Sequence, residues 1–135
     1  MSQKKDSKHP GVNDFASGLS PEEYEELQSL YNAILTLKTP EEIHAFLLDL
    51  CSVNELTSML HRWQIVLRID KELSYEEIIR QLTPAEGESK STVSSTTISR
   101  VKNCYVNEEG GYRTALRRLK DNNNLFKKVL IKFKP

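Results

Sequence analysis

Short hydroxyl side chains and basic residues cluster in the last third of the chain in a pattern that could contact nucleic acid. The candidate DNA-binding residues are Ser94, Ser95, Thr96, Thr97, Ser99, Arg100, Lys102 and Asn103, with Lys90 before them and Arg113 after them. At a helix start, serine and threonine allow a close approach to a duplex, and their hydroxyls bond base edges or the phosphates that the helix dipole attracts. Arginine, lysine and asparagine further along reach guanine, adenine or backbone oxygens. The pattern indicates a helix that begins near Ser95 and reads double-stranded DNA in the major groove.

The same residues have a second interpretation. Serine or threonine at a helix start is often only an N-cap, and Ile78, Ile98 and Val101 are first of all core residues. The chain would then be a helical protein-interaction module whose basic tail binds an acidic protein, without sequence-specific DNA reading. Taken alone, the pattern leaves both functions open.

The elements that position these residues are predicted to be helices, so the expected fold class is all-α. Ser20-Pro21-Glu22-Glu23 and Thr39-Pro40-Glu41-Glu42 each combine an N-cap, a proline at the first helical position and acids in the first turn. Apolar residues at helical spacing follow both signals, which predicts a first helix over about 21–37 and a second directly after it. Asn54 is predicted to cap a third helix.

The predicted reading head covers about residues 74–106. Ser74 is expected to cap a short helix and Ser94 or Ser95 to cap a second one, which is the layout of a helix-turn-helix. Between them, the polar segment 83–93 is predicted to be an inserted loop.

This reading head belongs to a predicted helix-turn-helix domain over residues 20–120. The polar segment 1–19 is expected to be a disordered N-terminal arm, because it lacks the apolar residues that would offset the entropy of ordering it. A basic C-terminal helix or tail is predicted over 121–135.

Charge is unevenly distributed along the 135 residues, although 19 lysines and arginines balance 19 acids. Residues 21–60 carry one lysine against eight acids, a net charge of −7, and residues 91–135 carry ten bases against three acids, a net charge of +7. An asymmetry of this kind predicts an anionic partner for one end of the molecule. We expect the basic end to face phosphates and the acidic segment to face away from them.

Composition argues against several other classes of protein. No apolar run approaches the roughly 20 residues of a membrane-spanning helix, and the N-terminus lacks the apolar segment of a secretory signal, so we expect a cytoplasmic protein with no membrane partner. Cys51 and Cys104 are too few for a disulfide framework, and no histidine has ligands at metal-binding spacing. Paired glutamates stand at helix starts, where they stabilise the dipole, and there is no phosphate loop or catalytic triad order. We therefore predict neither a metal site nor an enzyme.

Several segments of the chain also resemble a known family. From Leu30 to Leu119 the chain resembles the Trp repressor superfamily and, within it, the TrpR-like YerC/YecD family. The segments that carry the resemblance are 30–39, 49–56, Arg62, 74–78, 97–104 and Gly111-Tyr112. The resemblance implies an intertwined, all-helical homodimer with one helix-turn-helix per subunit, a Trp-repressor-like bundle that binds a two-fold symmetric operator and regulates transcription as a repressor.

The resemblance also implies a place for a small-molecule effector, held between two arginines. The matching positions are Arg62 and Arg100, which are the candidate effector-binding residues. Val101 stands where the family has a glycine that leaves room for the ligand, and Cys104 replaces a serine that helps to hold it, so L-tryptophan is not the expected effector. The alternative for Arg62 is an ion pair at a surface or an interface.

Overall fold

The computed structural model describes residues 18–83 and 93–122, and over these residues the chain is all-α, as predicted. The six helices of this part of the chain are α1 (Pro21–Leu35), α2 (Pro40–Leu50), α3 (Val53–Asp70), α4 (Tyr75–Leu82), α5 (Ser95–Tyr105) and α6 (Gly111–Asp121). Most of the predicted arm, nearly all of the predicted inserted loop and nearly all of the basic tail lie outside the described residues. No helix in the described ranges is both long and apolar enough to cross a membrane.

Local caps explain where the first two helices begin. Ser20 and Glu23 form a capping box, in which each side chain bonds the backbone N–H of the other residue, at 2.9 and 3.1 Å. The Thr39 hydroxyl accepts a hydrogen bond from the N–H of Glu42 at 3.1 Å. Both N-caps are confirmed, and α1 ends two residues earlier than predicted because Thr36 is its C-cap.

The predicted cap of α3 was wrong. The helix already includes Asn54, and Ser52 makes the capping contacts instead. The Ser52 hydroxyl accepts from the N–H of Glu55 at 3.1 Å, and the Ser52 N–H donates to the Glu55 carboxylate at 2.7 Å. Ser52 has a glutamate three residues later, which allows the reciprocal bonds of a capping box, whereas Asn54 has none at that spacing.

The chain divides into two compact units, residues 1–64 and 65–135, with the boundary inside α3. In the first unit no residue from 18 to 64 is buried. Large apolar side chains are instead exposed there, and they are Tyr24, Tyr31, Ile34, Leu35, Ile43, Leu48, Leu50, Val53, Met59 and Leu60. The helices of this unit therefore present apolar surface that the described part of the chain leaves uncovered.

The second unit has a hydrophobic core. Its buried apolar residues are Ile65, Val66, Leu67, Ile69, Ile78, Val93, Ile98, Val101 and Leu116. They come from α3, α4, α5 and α6 and the residue before the α5 cap, and α5 packs against both α4 and α6.

Between α3 and α4, Glu72 adopts a left-handed conformation with φ 66°, which an L side chain rarely takes. The Leu73 N–H then bonds the Arg68 carbonyl at 3.1 Å, which ends α3 sharply.

Candidate nucleic-acid interface

The start of α5 is fixed by its own cap. The Ser94 hydroxyl accepts a hydrogen bond from the Thr97 N–H and lies 3.2 Å from the Thr97 hydroxyl. Of the two predicted caps, Ser94 is the one used, and the helix begins at Ser95 as expected. The hydroxyls of Ser94 and Thr97 therefore stabilise the helix start.

Burial separates the two sides of α5. Ile98 and Val101 are buried, and Thr97 and Tyr105 are half-buried. At about 100° per residue, the opposite side of the helix is formed by positions spaced i, i+3, i+4 and i+7. These exposed residues are Thr96, Ser99, Arg100 and Asn103, which we call the outward stripe. Four of the predicted contact residues thus share one face.

The other predicted site residues lie around this stripe or away from it. Ser95 and Lys102 are exposed at one edge of it, beside Ser99. The Arg113 guanidinium lies 4.5 Å from the centroid of the Tyr105 ring and donates a hydrogen bond to the Tyr105 carbonyl at 3.1 Å. Arg113 thus contacts the last residue of α5 from α6. Lys90 lies outside the described residues.

The two candidate effector residues belong to different units. Arg62 is exposed in the first unit and Arg100 is exposed in the second. Their joint role in binding a small molecule stays a prediction.

A polar cluster that the sequence did not suggest anchors the C-terminal end of α5. The Tyr105 hydroxyl donates to Asp70 Oδ1 at 2.8 Å, and Lys120 Nζ lies 3.1 Å from Asp70 Oδ2. Burial, and then the hydrogen bond to Asp70, raises the pKa of Tyr105. Asp70 ends α3 and Lys120 lies on α6, so this cluster joins three helices at one carboxylate. No sequence signal marks the cluster, because its members are far apart along the chain.

A second polar network fixes α4 on α3. Buried Arg68 donates from Nε to Gln81 Oε1 at 2.9 Å, and Gln81 Nε2 donates to Glu77 Oε2 at 3.0 Å. Glu77 also pairs with Arg80, and the hydrogen bond lowers the pKa of Glu77 while it raises that of Arg80. Burial lowers the pKa of Arg68, so the bond to Gln81 offsets part of the cost of removing this cation from water. Helices α3 and α4 are therefore joined by a polar contact between Arg68 and Gln81.

Charge is also unevenly distributed within the described residues. Residues 93–122 hold six lysines and arginines against three acids, whereas residues 18–64 hold two against eight. The net charge is thus +3 in the range that contains the outward stripe and −6 in the other.

Throughout residues 18–83 and 93–122, no three histidine, cysteine or acidic side chains form a group that could hold a metal ion.

Comparison with known proteins identifies the family. A sequence model described as "Trp repressor protein" matches residues 25–120, from within α1 to the penultimate residue of α6. The chain belongs to the Trp repressor family. Within this family, the "Uncharacterized protein YerC" of Bacillus subtilis (strain 168) is 35% identical over 96 residues, which cover 71% of this chain and 84% of that protein. The resemblance to the Trp repressor superfamily and its TrpR-like YerC branch is thereby confirmed.

Proposed function

We propose that this protein is a homodimeric transcriptional regulator of the Trp repressor type that binds specific double-stranded DNA through α5. The observation that carries the proposal is the outward stripe, which is exposed and polar on a helix whose other side is buried. Helices α4 and α5 pack together and would form the helix-turn-helix. Membership of a family named for a repressor supports the same function.

The chemistry of the stripe suits the edges of base pairs. An arginine such as Arg100 can donate two hydrogen bonds to O6 and N7 of guanine, and an asparagine such as Asn103 can pair with N6 and N7 of adenine. The hydroxyls of Thr96 and Ser99 can bond base edges or phosphates, and a threonine methyl can contact thymine. Ser95 and Lys102, at one edge of the stripe, would contact phosphates. These roles divide the predicted site into base-reading and backbone-positioning residues.

The support for a homodimer comes from the first unit. Its exposed apolar residues include Leu35, 79% exposed, and Leu60, 52% exposed. Many large apolar side chains exposed in one unit favour an interaction surface, and a second copy would cover them with identical helices. A dimer would also present two reading helices to half-sites about 34–36 Å apart on a two-fold symmetric operator.

Selection from a pool of randomised duplexes tests this function. The purified full chain should enrich a two-fold symmetric sequence, and it should bind that duplex about 1,000-fold or more tightly than a shuffled one at fixed salt. Arg100→Ala and Asn103→Ala should each relax the base preference at one position of each half-site. Lys38→Ala removes a positive charge from the first unit and should leave the preference intact.

Failure to enrich any sequence would overturn the proposal, and so would equal binding of an enriched duplex and its shuffled counterpart. That result would favour a helical protein-interaction module, the alternative that the sequence left open.

A further inference from the structure

We propose that Arg117 and Arg118 on α6 form a second phosphate-binding surface, so that each subunit holds the duplex at two places. One place is the outward stripe of α5 and the other is this arginine pair. The inference rests on the proposed function, because its occupant is the sugar-phosphate backbone of double-stranded DNA.

The basic residues of α6 fall into two groups with different surroundings. Arg113 stacks on the Tyr105 ring and bonds the Tyr105 carbonyl, and Lys120 pairs with Asp70. Arg113 therefore holds α6 to α5, and Lys120 holds α6 to α3. Because both cations already have partners within the protein, they are less available to DNA phosphates than Arg117 and Arg118.

Arg117 and Arg118 have no such role. Both are exposed, and within the described residues neither forms an ion pair with an acid. Arg117 makes one hydrogen bond to a neighbouring side chain, at 3.5 Å to the Thr114 hydroxyl, which is long for a guanidinium donor. Two neighbouring guanidinium groups thus face solvent.

Helical geometry explains why the groups differ. Leu116 is buried and Leu119 is half-buried, so they define the inner side of α6. At about 100° per residue, Arg113 and Lys120 lie at the border of that side, where they can reach neighbouring helices. Arg117 and Arg118 lie further round the helix. The guanidinium groups of Arg117 and Arg118 are therefore exposed to solvent because of where these residues lie on α6.

The position along α6 favours a contact with DNA. Arg117 lies one turn, about 5.4 Å, beyond Arg113, and Arg113 touches the last residue of α5. A helix in the major groove is flanked by both phosphate strands, because the groove is only about 12 Å wide. The turn that joins the two helices carries exposed Glu108 and Glu109, which would repel phosphate. A further backbone contact beyond the C-terminal end of α5 therefore falls to α6, where arginine can bond phosphate through two parallel N–H groups.

The salt dependence of binding tests this surface. The full chain, Arg117→Gln, Arg118→Gln and the control Lys38→Gln are titrated with a random-sequence duplex and with the duplex enriched by selection, from about 50 to 200 mM salt. Each arginine variant should lower the magnitude of the slope of log K against log salt by about 0.9 per bound chain, equally for both duplexes. At about 0.1 M salt the affinity should fall roughly fivefold to tenfold per arginine.

Lys38→Gln removes the same charge from the first unit and should leave the slope unchanged, and Arg118→Lys should keep it close to the wild-type value. Unchanged slopes in both arginine variants would overturn the inference, and so would a loss confined to the enriched duplex, which would indicate base reading. The proposed function fails separately, if the wild-type chain does not distinguish the two duplexes. A wild-type chain that binds neither duplex would overturn both.

Discussion

No residue from 18 to 64 is buried, whereas the described residues from 65 onward bury nine apolar side chains contributed by four helices and the residue before the α5 cap. The helices of the first unit begin at capping boxes or single caps that act within four residues. Those of the second unit are also joined by long-range bonds, such as the one from Tyr105 to Asp70. Local signals are thus enough to start a helix, but a core needs facing partners. The second unit finds these partners in its own chain, and we propose that the first finds them in a second copy.

The largest effect of a substitution is expected on dimerisation, at the proposed interface between the first unit and a second copy. Leu60 lies on the same side of α3 as Met59 and Trp63, and it is 52% exposed in the single chain. Leu60→Glu would place an unpaired charge in the interface, which costs several kcal/mol. We expect sedimentation equilibrium to show a dimer for the wild-type chain and a monomer for this variant at micromolar concentration.

Ser58→Glu is the matched control for that experiment, because it adds the same charge to α3 about 200° away from Leu60. It should remain dimeric. A wild-type chain that sediments as a monomer would contradict the proposal that a second copy covers the first unit, since its apolar surface would then stay in water.

The second prediction concerns the core of the other unit. Ile98 is completely buried on the inner side of α5, so Ile98→Ala leaves a cavity. The free energy of unfolding should fall by about 2–5 kcal/mol. Val106→Ala truncates an apolar residue of the same unit that is 57% exposed, and it should change stability by less than about 0.5 kcal/mol. Urea unfolding measures both, and similar losses in the two variants would show that α5 is not held by this core.

Capping provides the third prediction, with a smaller effect. Ser52 makes both bonds of the box at the start of α3, so Ser52→Ala should lower the free energy of unfolding by about 1 kcal/mol. Asn54 already lies inside the helix, and Asn54→Ala should cost nothing or stabilise slightly, because alanine has the higher helix propensity. Thermal unfolding by circular dichroism distinguishes the two, and a larger loss for Asn54→Ala would restore the sequence-based assignment of the cap.

The N-caps of the helices also show what could be predicted from the sequence. The caps at Ser20, Thr39, Ser74 and Ser94 were predictable, because each bonds an N–H three residues away. The start of α3 was mispredicted because two residues near it could cap and only one had a glutamate at the required spacing.

The anchoring cluster around Asp70 was not predictable, because its contacts depend on the packing of three helices. For the same reason Arg113, which the pattern grouped with the DNA-binding residues, was not recognised as a partner of Tyr105. For the candidate site, the sequence predicted that the residues of the outward stripe share one helix. Only burial separated Thr96, Ser99, Arg100 and Asn103 from Thr97.

The smallest expected effect is an alkaline loss of stability in the second unit. Burial and the bond to Asp70 raise the pKa of Tyr105 above its ordinary value of 10.0, so the folded chain favours the neutral phenol. The stabilisation is therefore complete below pH 10 and is lost as the pH rises through the higher folded-state pKa. Tyr105→Phe lacks the hydroxyl, so it should be less stable than wild type by about 1 kcal/mol at pH 7, and the difference should shrink above pH 10.

Urea unfolding at a series of pH values measures this convergence, with Tyr75→Phe, a change at an exposed tyrosine of α4, as the control. If the difference between wild type and Tyr105→Phe stays constant up to pH 11, the phenol does not stabilise the folded chain through its protonated form. The hydrogen bond to Asp70 would then be an incidental contact. The anchoring of α5 would depend on its buried apolar side alone. The two units would then differ only in how much of their apolar surface is buried within the chain itself.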